Sequence, residues 1–166
     1  MAASLYALEL PPRGGDTLFC DTVAAYQALP SDIKVQISQL KSINSSSKSA
    51  VAKTRVNRIN NKALAKKIFS NAHPVVRIHP ETKNKILYVN ETHSTHFEGQ
   101  NEQQSEALLN VLFEHARKPQ FQCRIKWHLG MVVLWDNRST HHYPINDYTG
   151  YRRLLHRVFL KDDQPI

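Results

Sequence analysis

Apolar and polar positions set out the first elements. Ser4 to Leu10 reads as a short apolar strand, ended by Pro12 and the Gly14-Gly15 pair, which predict a turn. Thr17 to Cys20 is a second extended piece. Asp21 to Leu29 has helical character and stops at Pro30, and Ser31 is placed to cap another helix with Ile33, Ile37 and Leu40 on one face. Further on, His73 to Ile78 and Lys85 to Asn90 read as strands joined by a turn at Pro80 to Asn84. The strongest helix is Asn101 to Ala116. Asn101 and Gln104 have capping-box spacing, Leu108, Leu109, Leu112, Phe113 and Ala116 form one stripe, and Pro119 closes the segment. Phe121 to Lys126 alternates like a half-buried strand, Met131 to Trp135 is a continuous apolar strand, and Tyr151 to Leu160 is the last strand. A mostly antiparallel β core with attached helices follows.

Between these elements lies a stretch with little to bury. Ser42 to Ala50 is rich in serine and lysine and is expected to be the least ordered part, and Asn61 to Phe69 is weakly helical. The net charge of +8 comes from this region: ten of the 22 Lys and Arg, and no Asp or Glu, lie between Ile33 and Pro80. Residues 33–72 are therefore read as a basic helical and loop insertion within one domain spanning 1–166. Such a run can serve as a nucleic-acid patch, a solvated loop or a lid over an anionic substrate. Phe69 is its one aromatic residue, which argues against stacking on single strands.

With 41% hydrophobic and 22% charged residues, the chain can build a core. Cys20 and Cys123 form no framework or metal spacing, so a reducing cytoplasm is the natural setting. The opening MAASLYALELPP has no basic region and no long apolar run, so it is not read as a signal peptide, and no stretch has the length of a membrane span.

Candidate chemistry concentrates near the C-terminus. Trp135 leads into a polar loop holding His141 and His142, and a final strand follows. Alternation puts Arg153, Leu155, Arg157 and Phe159 on one face, and Leu154, His156, Val158 and Leu160 on the other, which looks like core apart from His156. Two guanidinium groups near a histidine can bind anions. From spacing alone, surface or ion-pairing roles for these arginines stay open.

Four stretches together resemble the taurine dioxygenase family of Fe(II)- and 2-oxoglutarate-dependent dioxygenases: LELPPRGGDTLFCDTVAAYQALP at 8–30, HPVVRIHPETKNKILYVN at 73–90, SEALLNVLFEHARKPQF at 105–121 and WDNRSTHHYPINDYTGYRRLLHRV at 135–158. The order matches the C-terminal part of such enzymes. The resemblance implies a double-stranded β-helix, a jelly roll of the cupin type, incomplete at the N-terminus. It also implies Fe(II), 2-oxoglutarate and O₂, with a small anionic organic substrate oxidised as 2-oxoglutarate gives succinate and CO₂. By motif position His142 matches the distal iron-binding histidine, and His141 a bystander. Arg153 and Thr17 match the residues that hold the far carboxylate of 2-oxoglutarate, and Arg157 the arginine for the substrate's sulfonate, sulfate ester or carboxylate. Asp136, Asn137 and Arg138 are given a structural role in the loop that presents His142.

The resemblance places a His-x-Asp pair of further iron ligands N-terminal to the Ser4–Leu10 strand, and this chain contains no His-x-Asp. His79-Pro80-Glu81 and His96-Phe97-Glu98 imitate the motif, the first in a hairpin turn and the second in a loop. The chain alone is therefore expected not to catalyse the family's reaction. A non-catalytic remnant or interaction module of the same fold remains the rival reading, with a basic nucleic-acid-binding protein behind it. Homo-oligomerisation stays open.

Overall fold

The computed structural model describes residues 2–48 and 68–160. In chain order its elements are β1 (Ala2–Glu9), β2 (Thr17–Asp21), α1 (Thr22–Gln27), α2 (Ser31–Ile37), β3 (Lys41–Ser45), β4 (Ser70–Pro74), β5 (Val76–Ile78), β6 (Lys85–Leu87), β7 (Ser94–Phe97), α3 (Glu102–Ala116), a 3-10 turn (Pro119–Phe121), β8 (Gln122–Ile125), β9 (Val132–Asp136), β10 (Thr140–Pro144) and β11 (Leu154–Phe159).

Two three-stranded antiparallel sheets, β11-β1-β9 and β10-β2-β8, face each other. Ala3, Leu5, Ala7 and Trp135 from the first sheet, and Phe19 from the second, pack between them with Trp127. Phe19 meets Trp135 edge-on with ring centroids 5.1 Å apart. The outer face of β10-β2-β8 is covered by helices and smaller sheets, where Cys20, Tyr26, Ile37, Val75, Leu109 and Leu112 lie in a second core. This facing-sheet architecture with attached helices bears out the jelly-roll expectation.

The helices follow their sequence signals closely. Asp21 caps α1 by accepting from the Val23 and Ala24 N–H groups. At α3 the capping box forms as expected between Asn101 and Gln104. The stripe of α3 buries Leu109, Leu112 and Phe113, each contributing about 1.5–3 kcal/mol of apolar burial. One detail differs: Pro30 holds the cap position of α2 without a side-chain bond, so Ser31 is the first helical residue.

Several expectations are corrected. Ser42 to Ser45 is not a loop but most of β3, the centre strand between β4 and β7. Small polar side chains enter the sheet there because they bond one another: Ser42 and Ser94 both donate to the Asn44 amide oxygen. The reading of 33–72 as helix and loop thus fails at β3 and at Ser70–Pro74. Its stretch 49–67, with most of Asn61 to Phe69, lies outside the described residues. The strand expected over His73–Ile78 divides at buried Val75. There the chain leaves the ladder with β3 and begins the β5–β6 hairpin, whose turn is where the sequence puts it. His96 sits on β7, opposite Ile43, rather than in a loop.

The face of β11 bearing Leu154, His156 and Val158 is exposed, not core. Register decides this. Leu155, Arg157 and Phe159 sit opposite Ala7, Leu5 and Ala3, the buried side of β1, whereas His156 and Val158 sit opposite Tyr6 and Ser4. For the same reason Val132 and Leu134 of the apolar β9 point to the exposed side.

Candidate anion and metal site

The turn before β2 is built to approach closely. Gly14 and Gly15 both have left-handed φ, of 73° and 76°. A Cβ on Gly14 would collide with the Asp147 carboxylate, and one on Gly15 would come within 3.0 Å of Arg153 Cδ. Asp147 accepts from the Gly15 N–H at 2.7 Å, and Arg153 Nε donates to the Gly15 carbonyl at 2.8 Å. The two chain segments are thereby locked together across more than 130 residues of sequence.

Thr17 lies at the centre of this junction and is 1% exposed. Its hydroxyl oxygen accepts from Arg153 Nη2 at 3.1 Å and from Trp127 Nε1 at 3.0 Å. A hydroxyl has two lone pairs and one proton, so these bonds leave the proton to donate. Arg153 is also flanked by the Trp127 and Tyr148 rings, each 5.9 Å from its guanidinium carbon, which restricts it to one orientation. A guanidinium beside an outward-donating hydroxyl is suited to a carboxylate.

His142 lies on β10, opposite Phe19 of β2 and on its side of the sheet. Its ring stands 5.1 Å from the Trp135 ring and 6.2 Å from that of Phe19. Burial lowers its pKa, and the nearby charge of Arg157 lowers it further, so the imidazole is kept neutral, the form that binds metals. His141 faces the other way, opposite Cys20. Burial, with smaller contributions from His142 and His93, pushes it down to about 4. Arg157, opposite Leu5, lies on the side of β11 that faces the other sheet but is exposed, with its guanidinium carbon 5.1 Å from the Phe159 ring.

Thr17, His142, Arg153 and Arg157 therefore all turn toward the space between the sheets. Thr17 and Arg153 touch, and the charge of Arg157 disfavours protonation of His142. Arg153 precedes β11 rather than lying within it. A cavity of about 490 Å³ includes His142 but none of the other three.

The imitation motifs are engaged elsewhere. His79 is buried and takes the Glu81 and Thr82 N–H groups on Nδ1, so Nε2 carries the proton and donates to Asp136 at 3.0 Å. Arg138 forks onto Asp136 at 2.6 and 2.9 Å and reaches Glu81 at 2.8 Å. Burial opposes ionisation of Asp136, but the hydrogen bonds from Arg138 and His79 outweigh it and hold the carboxyl below its usual range. The same contacts raise the pKa of Arg138. This clasp ties the β5–β6 turn to the loop between β9 and β10, the structural role expected of Asp136 and Arg138. His96 shares a hydrogen bond with Thr95.

Among the described residues no group of three His, Cys, Asp or Glu could hold a metal ion. His142 alone does not fit an iron centre, which needs its full ligand number and geometry. Sequence reasoning missed Trp127, Asp147 and Tyr148. Trp127 lies outside the four matched stretches, Asp147 and Tyr148 lie within the last of them without a role assigned, and only the fold brings all three to Gly15, Thr17 and Arg153.

The family model for taurine catabolism dioxygenase TauD, TfdA family matches residues 1–159. An alkylsulfatase of Acinetobacter baylyi is 35% identical, covering 94% of this chain and 50% of its own length. An alpha-ketoglutarate-dependent sulfonate dioxygenase of Saccharomyces cerevisiae is 38% identical over 96% of this chain and 38% of its own. The crystal structure of a taurine dioxygenase from Burkholderia xenovorans superposes with a TM-score of 0.82, at 32% identity, over 99% of this chain and 53% of that one. The chain thus spans about half the length, or less, of these relatives.

Proposed function

From the premise that the chain belongs to the taurine catabolism dioxygenase TauD, TfdA family, we propose that it is the cosubstrate-binding part of a 2-oxoglutarate-dependent dioxygenase acting on a small anionic organic compound. Thr17 and Arg153 hold the far carboxylate of 2-oxoglutarate. Arg157 holds the substrate's anionic group, a sulfonate, sulfate ester or carboxylate. His142 is the one metal-binding side chain of the set. Fe(II), when bound by a complete ligand set, supplies oxygen activation. Because His142 by itself does not fit that metal, the steps assigned to this chain are binding and orientation only.

The observation that carries the reading is the Thr17 hydroxyl, whose acceptor positions are filled by Arg153 and Trp127 while its proton remains to donate. A core threonine with only a packing role would not need a guanidinium held rigid between two rings beside it. The relatives named for sulfonate and sulfate chemistry support an anionic substrate. Two free cysteines support a reducing, cytoplasmic setting, and among the described residues no helix is long and apolar enough to cross a membrane.

Calorimetry with 2-oxoglutarate tests the reading. Weak binding that is lost in Arg153→Met and Thr17→Val supports it. Equal binding by parent and both variants sinks it.

A further inference from the structure

Under the proposed function, two arginines on one segment receive different anions. Arg153 takes the cosubstrate's carboxylate and Arg157 the substrate's anionic group. Both present the same guanidinium, so charge alone does not sort a carboxylate from a sulfonate. Geometry does. A carboxylate offers its oxygens in one plane and matches donors held in a plane, whereas a sulfonate spreads its oxygens over a tetrahedron. Sorting then depends on how firmly the guanidinium is held.

Arg153 is held through Gly15. Its Nε donates to the Gly15 carbonyl at 2.8 Å, and its Nη2 donates to Thr17. Gly15 does not hold itself, because its φ of 76° is one conformation among the many that glycine adopts. The Asp147 carboxylate supplies the constraint by accepting from the Gly15 N–H at 2.7 Å. That bond is not needed to bring the two segments together. β10 already runs beside β2 as far as Pro144, opposite Thr17, and the Ile145 N–H donates to the Asp16 carbonyl at 2.9 Å. What Asp147 adds is the orientation of Gly15. The next residue, Tyr148, places its ring against the guanidinium. Among the described residues no carboxylate pairs with Arg153, and that of Asp147 is engaged by Gly15, so the guanidinium stays open to a ligand's carboxylate.

We propose that Asp147 is a positioning residue that determines specificity: by fixing Gly15 it holds Arg153 in the plane that, with the Thr17 hydroxyl, accepts a carboxylate and disfavours a sulfonate. It touches neither ligand itself. The proposal rests on the reading of Thr17 and Arg153 as the site for the far carboxylate of 2-oxoglutarate.

The test follows the Trp127 Nε1–H resonance of the full chain, which reports on the Thr17 hydroxyl, during titration with two ligands. One is 2-oxoglutarate, and the other is 2-oxo-4-sulfobutyrate, which differs in carrying a sulfonate in place of the far carboxylate. The parent should prefer 2-oxoglutarate about tenfold or more, and in Asp147→Ala the two affinities should come within about twofold of each other. Asp147→Asn keeps an oxygen for the Gly15 N–H and should retain most of the preference. Arg124→Ala, which breaks the pair with neighbouring Asp16, should leave the preference unchanged and so separates positioning from a general loss of stability. Without ligand, the Arg153 Nε–H should exchange at least about tenfold faster in Asp147→Ala than in the parent. The proposal is overturned by a parent that binds both ligands equally, by an unchanged preference in Asp147→Ala, by an equal loss in Asp147→Asn or Arg124→Ala, or by an Arg153 Nε–H as protected in Asp147→Ala as in the parent. Each of these leaves the assignment of Thr17 and Arg153 standing. A parent that does not bind 2-oxoglutarate at all overturns that assignment, and this proposal with it.

Discussion

Replacing Arg138 by alanine should remove the clasp that holds the loop before His142. Arg138 is 8% exposed and forks onto Asp136, with a further contact to Glu81. The Glu81 side chain is 73% exposed, so that pair contributes less than about 1 kcal/mol. The fork to Asp136 is charge-assisted and shielded on the arginine side, worth about 1.5–3 kcal/mol. Truncation leaves Asp136 with His79 and with access to water, so the loss stays below the roughly 3–5 kcal/mol of a fully buried broken pair. The expected destabilisation is about 2–3 kcal/mol, a fall in Tm of roughly 4–12 °C for a chain of this size. Arg138→Lys keeps the charge but cannot fork, and should recover about half of the loss. Arg124→Ala breaks a half-exposed pair with Asp16 and should cost about 1 kcal/mol or less. Urea melts of the four proteins give the comparison, and the His142 ring proton resonances should move in Arg138→Ala but not in Arg124→Ala. If Arg138→Ala melts within about 0.5 kcal/mol of the parent, or lysine serves as well as arginine, the clasp does not hold this loop.

Acid should weaken the same clasp. The folded-state pKa of Asp136 lies below its ordinary value of 3.8, so its contribution is complete above that value and is lost as pH falls from about 4 toward the lower folded value. Melts across this range should slope less in Asp136→Asn than in the parent, and equal slopes would count against the assignment. Trp127→Phe removes one donor from the Thr17 hydroxyl and keeps the ring beside Arg153; binding of 2-oxoglutarate should weaken by a few-fold in calorimetry, less than in Arg153→Met. The purified chain, given Fe(II), ascorbate, 2-oxoglutarate and a panel of taurine, alkylsulfates and aryloxyacetates, should form no succinate above a no-enzyme control. Turnover that disappears in His142→Ala would overturn this and would send the search for ligands back to His79, Glu81, His96 and Glu98.

The elements written in the sequence are those whose signals are local. The capping box at Asn101 and Gln104, the stripe of α3 and the β5–β6 turn each depend on residues a few positions apart, and each forms as read. Thr17, His142, Arg153 and Arg157 could be named from the resemblance, which carries positions over without requiring contacts to be known, and their roles are those proposed above. Tertiary structure decided what depends on distant partners. Leu154 and Val158 are as apolar as Leu155, and only register against β1 puts one set inside and the other outside. Ser42 looks like a loop residue until Asn44 and Ser94 meet it in a sheet. His79 looks like a ligand until Asp136, 57 residues away, accepts its proton. Trp127 lies outside the matched stretches and Asp147 lies inside one with no role assigned, and they gain a role at Thr17 and Gly15 only because β2, the β8–β9 connection and the segment before β11 are folded onto one another. Periodicity records which face of an element is apolar; the partner that covers the face, or leaves it uncovered, is set by contacts that close long loops.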